Sequence, residues 1–333
     1  MNHVSKLAAV GRKVVVPLLA LAVLAVGAHL WLNTNVFGRD EVCGGLVSTD
    51  SAAAVFSSSG RVSDDNGLDE RSGDRLAFTC TVTASSVLPG TDDERIRISA
   101  SRERGDFPFT DNGRFPNPAT ASFFSDGATG GVGDGHGWVL LPSTCTTGAG
   151  PAVVEGYAPR GSDPVRLARL LTDVAGKAAE RAGCRAKEPL RAPSALSRTP
   201  VPRPIEGGTV CGLTGLTFPG APRPGTMESV QDRVRPTWAC RIEGYATYTV
   251  TQDPQMVEAI RSSPGFEEQP PAGDRRASGF DPWHVVADCA GASTYFSLEF
   301  GPRYDDAAGT PGTPRRQDLF RNFVESAGKR LGC

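Results

Sequence analysis

Eight cysteines and two of the four histidines are the residues of this chain whose types and spacing could do chemistry. His3 and His29 lie before or within an N-terminal apolar run, which leaves His136, in GDGHGW, and His284, in DPWH. Beside Asp134 and Asp281 they could serve acid/base or ligand-binding work. The competing reading is that Trp138 and Trp283 anchor a core and each histidine sits at a strand edge. His136 stands two residues before its tryptophan and His284 one after, so the two imidazoles are expected to face differently.

Other motifs fall short of a chemistry. No GxSxG supplies a nucleophile elbow. GGVGDGHG (130–137) has the glycine density of a phosphate loop but lacks Gly-Lys-Ser/Thr and opens no helix. Asp64, Asn66 and Asp69 could approach a calcium ion, but their spacing departs from a calcium loop and reads as a solvated acidic turn. No catalytic, cofactor-binding or metal-ligating residue is expected, and no cofactor.

The cysteines form a frame that occurs twice: Cys43, Cys80, Cys145, Cys184, then Cys211, Cys240, Cys289, Cys333. VCGGL answers VCGLTGL, FTCTV answers WACRI, a tryptophan precedes each third cysteine, and Gly-Cys closes each copy. Structural zinc wants ligands in closely spaced pairs, and the chain has no CxxC or HxxxH. In an exported chain such a frame reads as disulfides. Four cysteines allow three pairings. The expected one joins sequence neighbours: Cys43–Cys80, Cys145–Cys184, Cys211–Cys240 and Cys289–Cys333. Each bond closes a loop of a few tens of residues and contributes about 3–4 kcal/mol in the chain-entropy estimate.

Export is read from the N-terminus. Lys6, Arg12 and Lys13 precede an uncharged run at 14–32, long enough at 1.5 Å per residue to approach the roughly 30 Å hydrocarbon layer. Cations before it and Asp40 and Glu41 after it imply a cytoplasmic N-terminus and an exported remainder. Val26-Gly27-Ala28 would allow cleavage. The apolar run continues through Trp31 and Leu32, so an uncleaved, single-pass signal-anchor in the cell membrane is expected. A net charge of -2 without a charged pole gives no footprint for nucleic acid.

The 333 residues then divide into a cytoplasmic N-terminus (1–13), the anchor (14–32), a tether (33–42), a first four-cysteine domain (43–186), a Pro-rich linker (187–208) and a second four-cysteine domain (209–333). Period-two patterns mark strands at 76–82, 95–99, 138–141 and 152–161, and at 238–242, 245–251, 283–287 and 295–304. Ser48, Thr49 or Asp50 caps a short helix over SAAAVF. Each copy ends in a helix: Leu167, Leu170, Leu171, Val174 and Ala178 form one stripe, Leu319, Phe320, Phe323, Ala327 and Leu331 the other. The fold class is α+β: two tandem repeats, each an antiparallel sheet of four or five strands with a C-terminal helix and two disulfides. Phe107, Phe109, Phe115, Phe123 and Phe124 stud a non-periodic loop. With Trp138 and Trp283, the first three are candidates for an interaction surface, unless the loop folds back onto its sheet.

The Cys-x-Leu-type stretches Cys43 to Leu46 and Cys211 to Leu213, with Cys80 and Cys240 in early strands, give the chain a resemblance to actinobacterial membrane-anchored, disulfide-stapled extracytoplasmic domains. These include envelope lipoproteins and the extracellular sensor domains of kinases. The resemblance covers the cysteine frame and the order of elements. It implies a non-catalytic envelope-facing binding or sensing module, its partner an envelope protein or a small envelope ligand. A structural envelope protein and an exported enzyme are the alternatives.

Overall fold

The structure, a computed structural model, describes residues 3–36, 38–71, 73–87, 92–110, 113–205, 209–220, 223–232 and 236–333, with side chains in the N-terminal helix from Pro17 onward. Residues 206–208 of the expected linker, residue 72 after the acidic turn and residues 88–91 between the expected strands at 76–82 and 95–99 lie outside the described residues. Helix α1 (His3–Asn33) covers the expected anchor. Among the described residues, no helix is long and apolar enough to cross a membrane. The expected span of 14–32 begins in residues whose side chains are outside the described set.

Two sheets follow. In the first, β1 (Arg61–Asp64), β2 (Phe78–Ser85), β3 (Glu94–Arg102), β4 (Ser122–Phe124), β5 (Gly130–Val132), β6 (His136–Leu140) and β7 (Ala152–Tyr157) pair in the order β1-β2-β3-β7-β6-β5-β4. In the second, β8 (Met227–Val230), β9 (Thr237–Ile242), β10 (Ala246–Thr251), β11 (Glu267–Ala272), β12 (Arg275–Asp281), β13 (His284–Cys289) and β14 (Ala292–Phe300) pair in the order β8-β9-β10-β14-β13-β12-β11. All these pairs are antiparallel. Asp69–Glu70 adds to β2 and Arg203–Pro204 adds outside β8, so each sheet has eight strands rather than four or five. The strands missed in the sequence are short or irregular. β4 and β5 run through a Gly-rich stretch, and β11 contains Pro270 and Pro271, which only an edge strand tolerates.

Helices cover one face of each sheet. Ser48 caps α2 (Thr49–Val55). The Asp163 carboxylate accepts the Val165 and Arg166 N–H groups, Pro164 starts α3 (Pro164–Ala182), and Gly183 ends it in the left-handed region. The stripe of α3 is buried against Val82, Ile96, Ile98, Val139 and Val154, at about 2 kcal/mol per fully buried Leu or Val. Helix α6 (Arg316–Leu331) packs Leu319, Phe320, Phe323 and Val324 on Tyr248, Val250, Phe296 and Leu298 in the same way. Two helices were not read from the sequence: α4 (Pro254–Arg261), capped by Asp253, and α5 (Pro302–Ala307).

The disulfides are Cys43–Cys80, Cys145–Cys184, Cys211–Cys240 and Cys289–Cys333. The first cysteine of each frame adopts a left-handed backbone, φ 55° at Cys43 and 57° at Cys211. That conformation costs a non-glycine residue about 1–2 kcal/mol. Each is offset in the same way. The Cys43 N–H donates to the Asp64 carboxylate at 2.7 Å, and the Cys211 N–H to Glu228 at 2.7 Å. These are charge-assisted bonds, stronger than neutral ones.

A third core lies between the halves. The connection after β3 (103–121) and the one after β10 (252–266) each reach across to the other half. Phe107, Phe109 and Phe115 from the first meet Met256, Val257 and Ile260 of α4, together with Trp138, Leu140 and Tyr295. Phe107 meets Trp138 edge-on at 4.9 Å, and Phe109 lies 5.6 Å from Tyr295. Hydrogen bonds follow the same exchange: Asn117 donates to Thr247, Gln231 to the Pro118 and Ala121 carbonyls, and Gln255 to the Leu141 carbonyl. Gly105 donates its N–H to Ser263 Oγ at 2.7 Å.

At Gly105 the two backbones approach closely: a Cβ there would lie 2.3 Å from the Ala259 carbonyl oxygen. Gly105→Ala is therefore expected to destabilise the whole chain by about 3 kcal/mol, the upper end of overpacking costs. Gly148→Ala, where a Cβ meets nothing within 4 Å, should stay within about 0.5 kcal/mol of the parent. Equilibrium denaturation of both variants decides it; equal stabilities would mean the halves are not packed through this contact.

Candidate functional site

The same pairing of side chains occurs once in each half. In the first, β6 carries His136 and the adjacent β7 carries Glu155, and His136 Nε2 lies 2.8 Å from Glu155 Oε1. In the second, β13 carries His284 and β14 carries Glu299, with His284 Nε2 2.9 Å from Glu299 Oε1. Strand alternation places both pairs on the face turned away from the C-terminal helices. His136 shares its face with Trp138 and Leu140, and His284 with Val286, all three of which belong to the core between the halves.

The histidines therefore face alike, contrary to the expectation from their tryptophan offsets. It is the tryptophans that differ. Trp138 is buried between the halves, whereas Trp283 packs against Phe300 and Phe320 at the α6 side of its sheet. Asp134 does not join His136; its carboxylate accepts the Gly161 N–H. Asp281 does join His284, both carboxylate oxygens lying 2.9 Å from Nδ1. Phe107, Phe109 and Phe115 are buried in the core between the halves rather than lying on an outer surface.

The two pairs differ in their surroundings. His284 is 6% exposed and held between two carboxylates. Burial disfavours its charge, but the hydrogen bonds it donates to Asp281 and Glu299 outweigh that and raise its pKa to about 9. This is a sealed imidazolium. Arg104 lies nearby, stacked over Phe280 at 4.3 Å and paired with the fully buried Asp106.

The first-half pair opens outward. Glu155 is buried, and its carboxylate is filled: Oε1 meets His136 Nε2 and accepts the Tyr157 hydroxyl, while Oε2 accepts Arg114 Nε and Nη2. Burial opposes the charge, yet the hydrogen bonds from His136, Arg114 and Tyr157 hold its pKa below the ordinary carboxyl range. Arg114 also reaches Glu103 and Ser101. The Tyr157 ring stacks on His136 at 4.0 Å and is 40% exposed. Burial and the bond to Glu155 push its hydroxyl up to about 12. Tyr157 forms one wall of an open hollow of about 600 Å³ that also takes in Thr81, Glu94, Arg95, Arg97 and Asp65.

A larger cleft of about 780 Å³ runs between linker residues 191–198, Phe123, Phe124 and Gln231. Half of its lining is linker and it borders residues outside the described set, so the chemistry lies with the His136 cluster. Among the described residues, the groupings with metal-ligand character are Cys43, Asp64, Cys80 and Cys211, Glu228, Cys240. Their sulfurs are spent in disulfides, and each carboxylate accepts a cysteine N–H. They are structural clamps. Comparison with protein-family models, with curated proteins and with solved structures finds no match to this chain.

Sequence reasoning missed the His–Glu pairing because nothing in one dimension fixes the register of β6 against β7. A signal was there: AVVEGYAPRG and YFSLEFGPRY each hold one Glu inside a strand that follows the histidine strand.

The His284 pair sets a pH dependence. Its folded pKa of about 9 stands above the ordinary 6.5. Its contribution is therefore complete below about pH 6.5 and is lost as pH rises through 9. Wild-type unfolding free energy should fall over that window by up to about 3 kcal/mol. His284→Gln should remove this fall, leaving a variant less stable at pH 6 and level with the parent near pH 10. Parallel denaturation curves for the two chains would overturn the assignment.

Proposed function

We propose that this chain is a single-pass, membrane-anchored extracytoplasmic binding or sensing protein made of two duplicated modules. Its ligand, an envelope protein or a small envelope ligand, engages the open face around Tyr157. The observation that carries this reading is the divergence of the two His–Glu pairs. One is sealed as a structural ion cluster; the other is fixed just as tightly but presents Tyr157, Arg114 and the neighbouring Arg97 to solvent. A preorganised, fully hydrogen-bonded carboxylate beneath an exposed aromatic and two cations suits recognition. Acid/base work would call for a carboxyl poised near neutral pH, and Glu155 is shifted the other way.

The remaining parts of the proposal have separate support. Duplication is favoured by the common strand order, the common disulfide pairing and the left-handed cysteines clamped by carboxylates. Four disulfides with no free cysteine suit an oxidising compartment. For the anchor, α1 exposes Leu18, Leu19, Leu21, Val23, Leu24 and Val26, a surface that water disfavours.

The test is in-cell crosslinking and capture with wild type, Tyr157→Ala and Arg97→Ala, with Gly148→Ala as a control. Both site variants should retain the parent's circular dichroism, and Arg97→Ala its thermal midpoint as well, while capture of the ligand falls at least about tenfold, a loss of about 1.4 kcal/mol. Undiminished capture by both would sink the proposed site; no reproducible ligand for any form would favour a structural envelope role.

A further inference from the structure

The end of α1 is not a free tether. The Asn33 side chain, 4% exposed, accepts hydrogen bonds from Ser86 Oγ at 2.6 Å and the Val87 N–H at 3.0 Å. Its amide nitrogen also donates back to the His29 carbonyl. The Arg61 guanidinium of β1 stacks over the Trp31 ring at 5.5 Å. Five residues from three segments thus tie the last turn of the helix to one end of the first sheet. Beside this junction Val36 is 68% exposed, Val87 63%, Trp31 53% and Leu32 44%. These apolar side chains continue the exposed apolar surface of α1 onto the folded part of the chain.

We propose that this end of the first half seats on the bilayer, with Val36 and Val87 in the headgroup boundary and Trp31 at the same level. The proposal rests on the membrane-anchor reading. Its physical basis is continuity: if α1 spans the membrane, its hydrogen-bonded end carries Ser86 and Val87 with it to the interface. Tryptophan belongs in that layer, and exposed valines gain there what they lose in water. The seat also orients the sheet. Ser85 and Glu94, at the ends of β2 and β3, lie at the membrane end, whereas Arg102 and the Thr147–Gly150 turn lie at the other. At about 3.3 Å per residue these ends stand roughly 26 Å apart. Arg97 and Tyr157, opposite one another on β3 and β7, fall near the lower end, so the open face lies within about 10 Å of it.

The experiment places a photoreactive side chain, one position at a time, at Val87, Val23 and Ala149 in the full chain, reconstituted in phosphatidylglycerol–phosphatidylethanolamine vesicles. Crosslinks are read by mass spectrometry. Val87 and Val23 should both crosslink lipid, with Ala149, at the far end of the sheet, at least about tenfold lower. Lipid at Val23 with none at Val87 overturns the seat while leaving the anchor standing. No lipid at Val23 removes the anchor and the seat together. A crosslink from Val87 to a second copy of the chain overturns the seat in favour of self-association.

Discussion

The structure depends on each half burying the sheet face that the other half leaves open. Thr247, Thr249 and Thr251 make one face of β10 hydroxyl from end to end, yet they are 8%, 0% and 0% exposed. The first half's connection after β3 reaches this face, bringing Asn117 to Thr247 and carbonyls to Gln231. In return α4 covers Trp138, Leu140 and Val153 of the first sheet. A buried hydroxyl left without a partner costs about 1–3 kcal/mol, and Thr249 Oγ1 and Ser297 Oγ carry that cost within the described residues. The Phe107–Trp138 and Phe109–Tyr295 contacts repay it through apolar burial and ring geometry. Each half supplies the cover that the other lacks, so neither sheet is complete alone.

That exchange explains which parts of the fold were legible in one dimension. Cysteine flanks, helix caps and period-two strands are local, and the disulfide pairing, α2, α3, α6 and the central strands follow from them. The halves' mutual packing is not local. Phe107, Phe109 and Phe115 lack a period because they fill a gap between α4 and Trp138 and Leu140 of their own sheet, whereas Phe124 belongs to the core of its own half. The α4 signal was present as Asp253-Pro254 before Met256, Val257 and Ile260, a cap followed by an apolar stripe. It is short and sits where the first half has only single 3-10 turns, so setting the two halves side by side hid it. The same comparison misled on the tryptophans: one residue of offset turns a side chain to the opposite face of a strand, and Trp283 moved while His284 kept its place.

The site follows the same logic. A histidine on the strand before last and a glutamate on the last strand form one scaffold used twice, and their surroundings decide its chemistry. In the second half Asp281 closes the ring from behind, and burial leaves the imidazolium as a clasp between two strands. In the first half Asp134 turns instead to Gly161, so the far side of His136 is given to stacked rings, Tyr157 on one side and Phe115 on the other. Glu155 keeps its charge through Arg114, which comes from the very connection that covers the other half. The open site is thus braced by the packing between the halves.

Sheet edges complete the argument, since an exposed edge invites pairing with another chain. The entering segment guards the first edge of each sheet: α1 docks beside β1 through Trp31 and Arg61, and linker residues Arg203–Pro204 pair with β8. The linker also passes β4, where Ser122 Oγ donates to the Ser197 carbonyl. At β11, Pro270 and Pro271 remove two backbone donors. The proline-rich linker is therefore part of the fold, lying on one edge of the first sheet and extending one edge of the second. The chain spends its connections on its own edges and inner faces, and leaves the face around Arg97 and Tyr157 open.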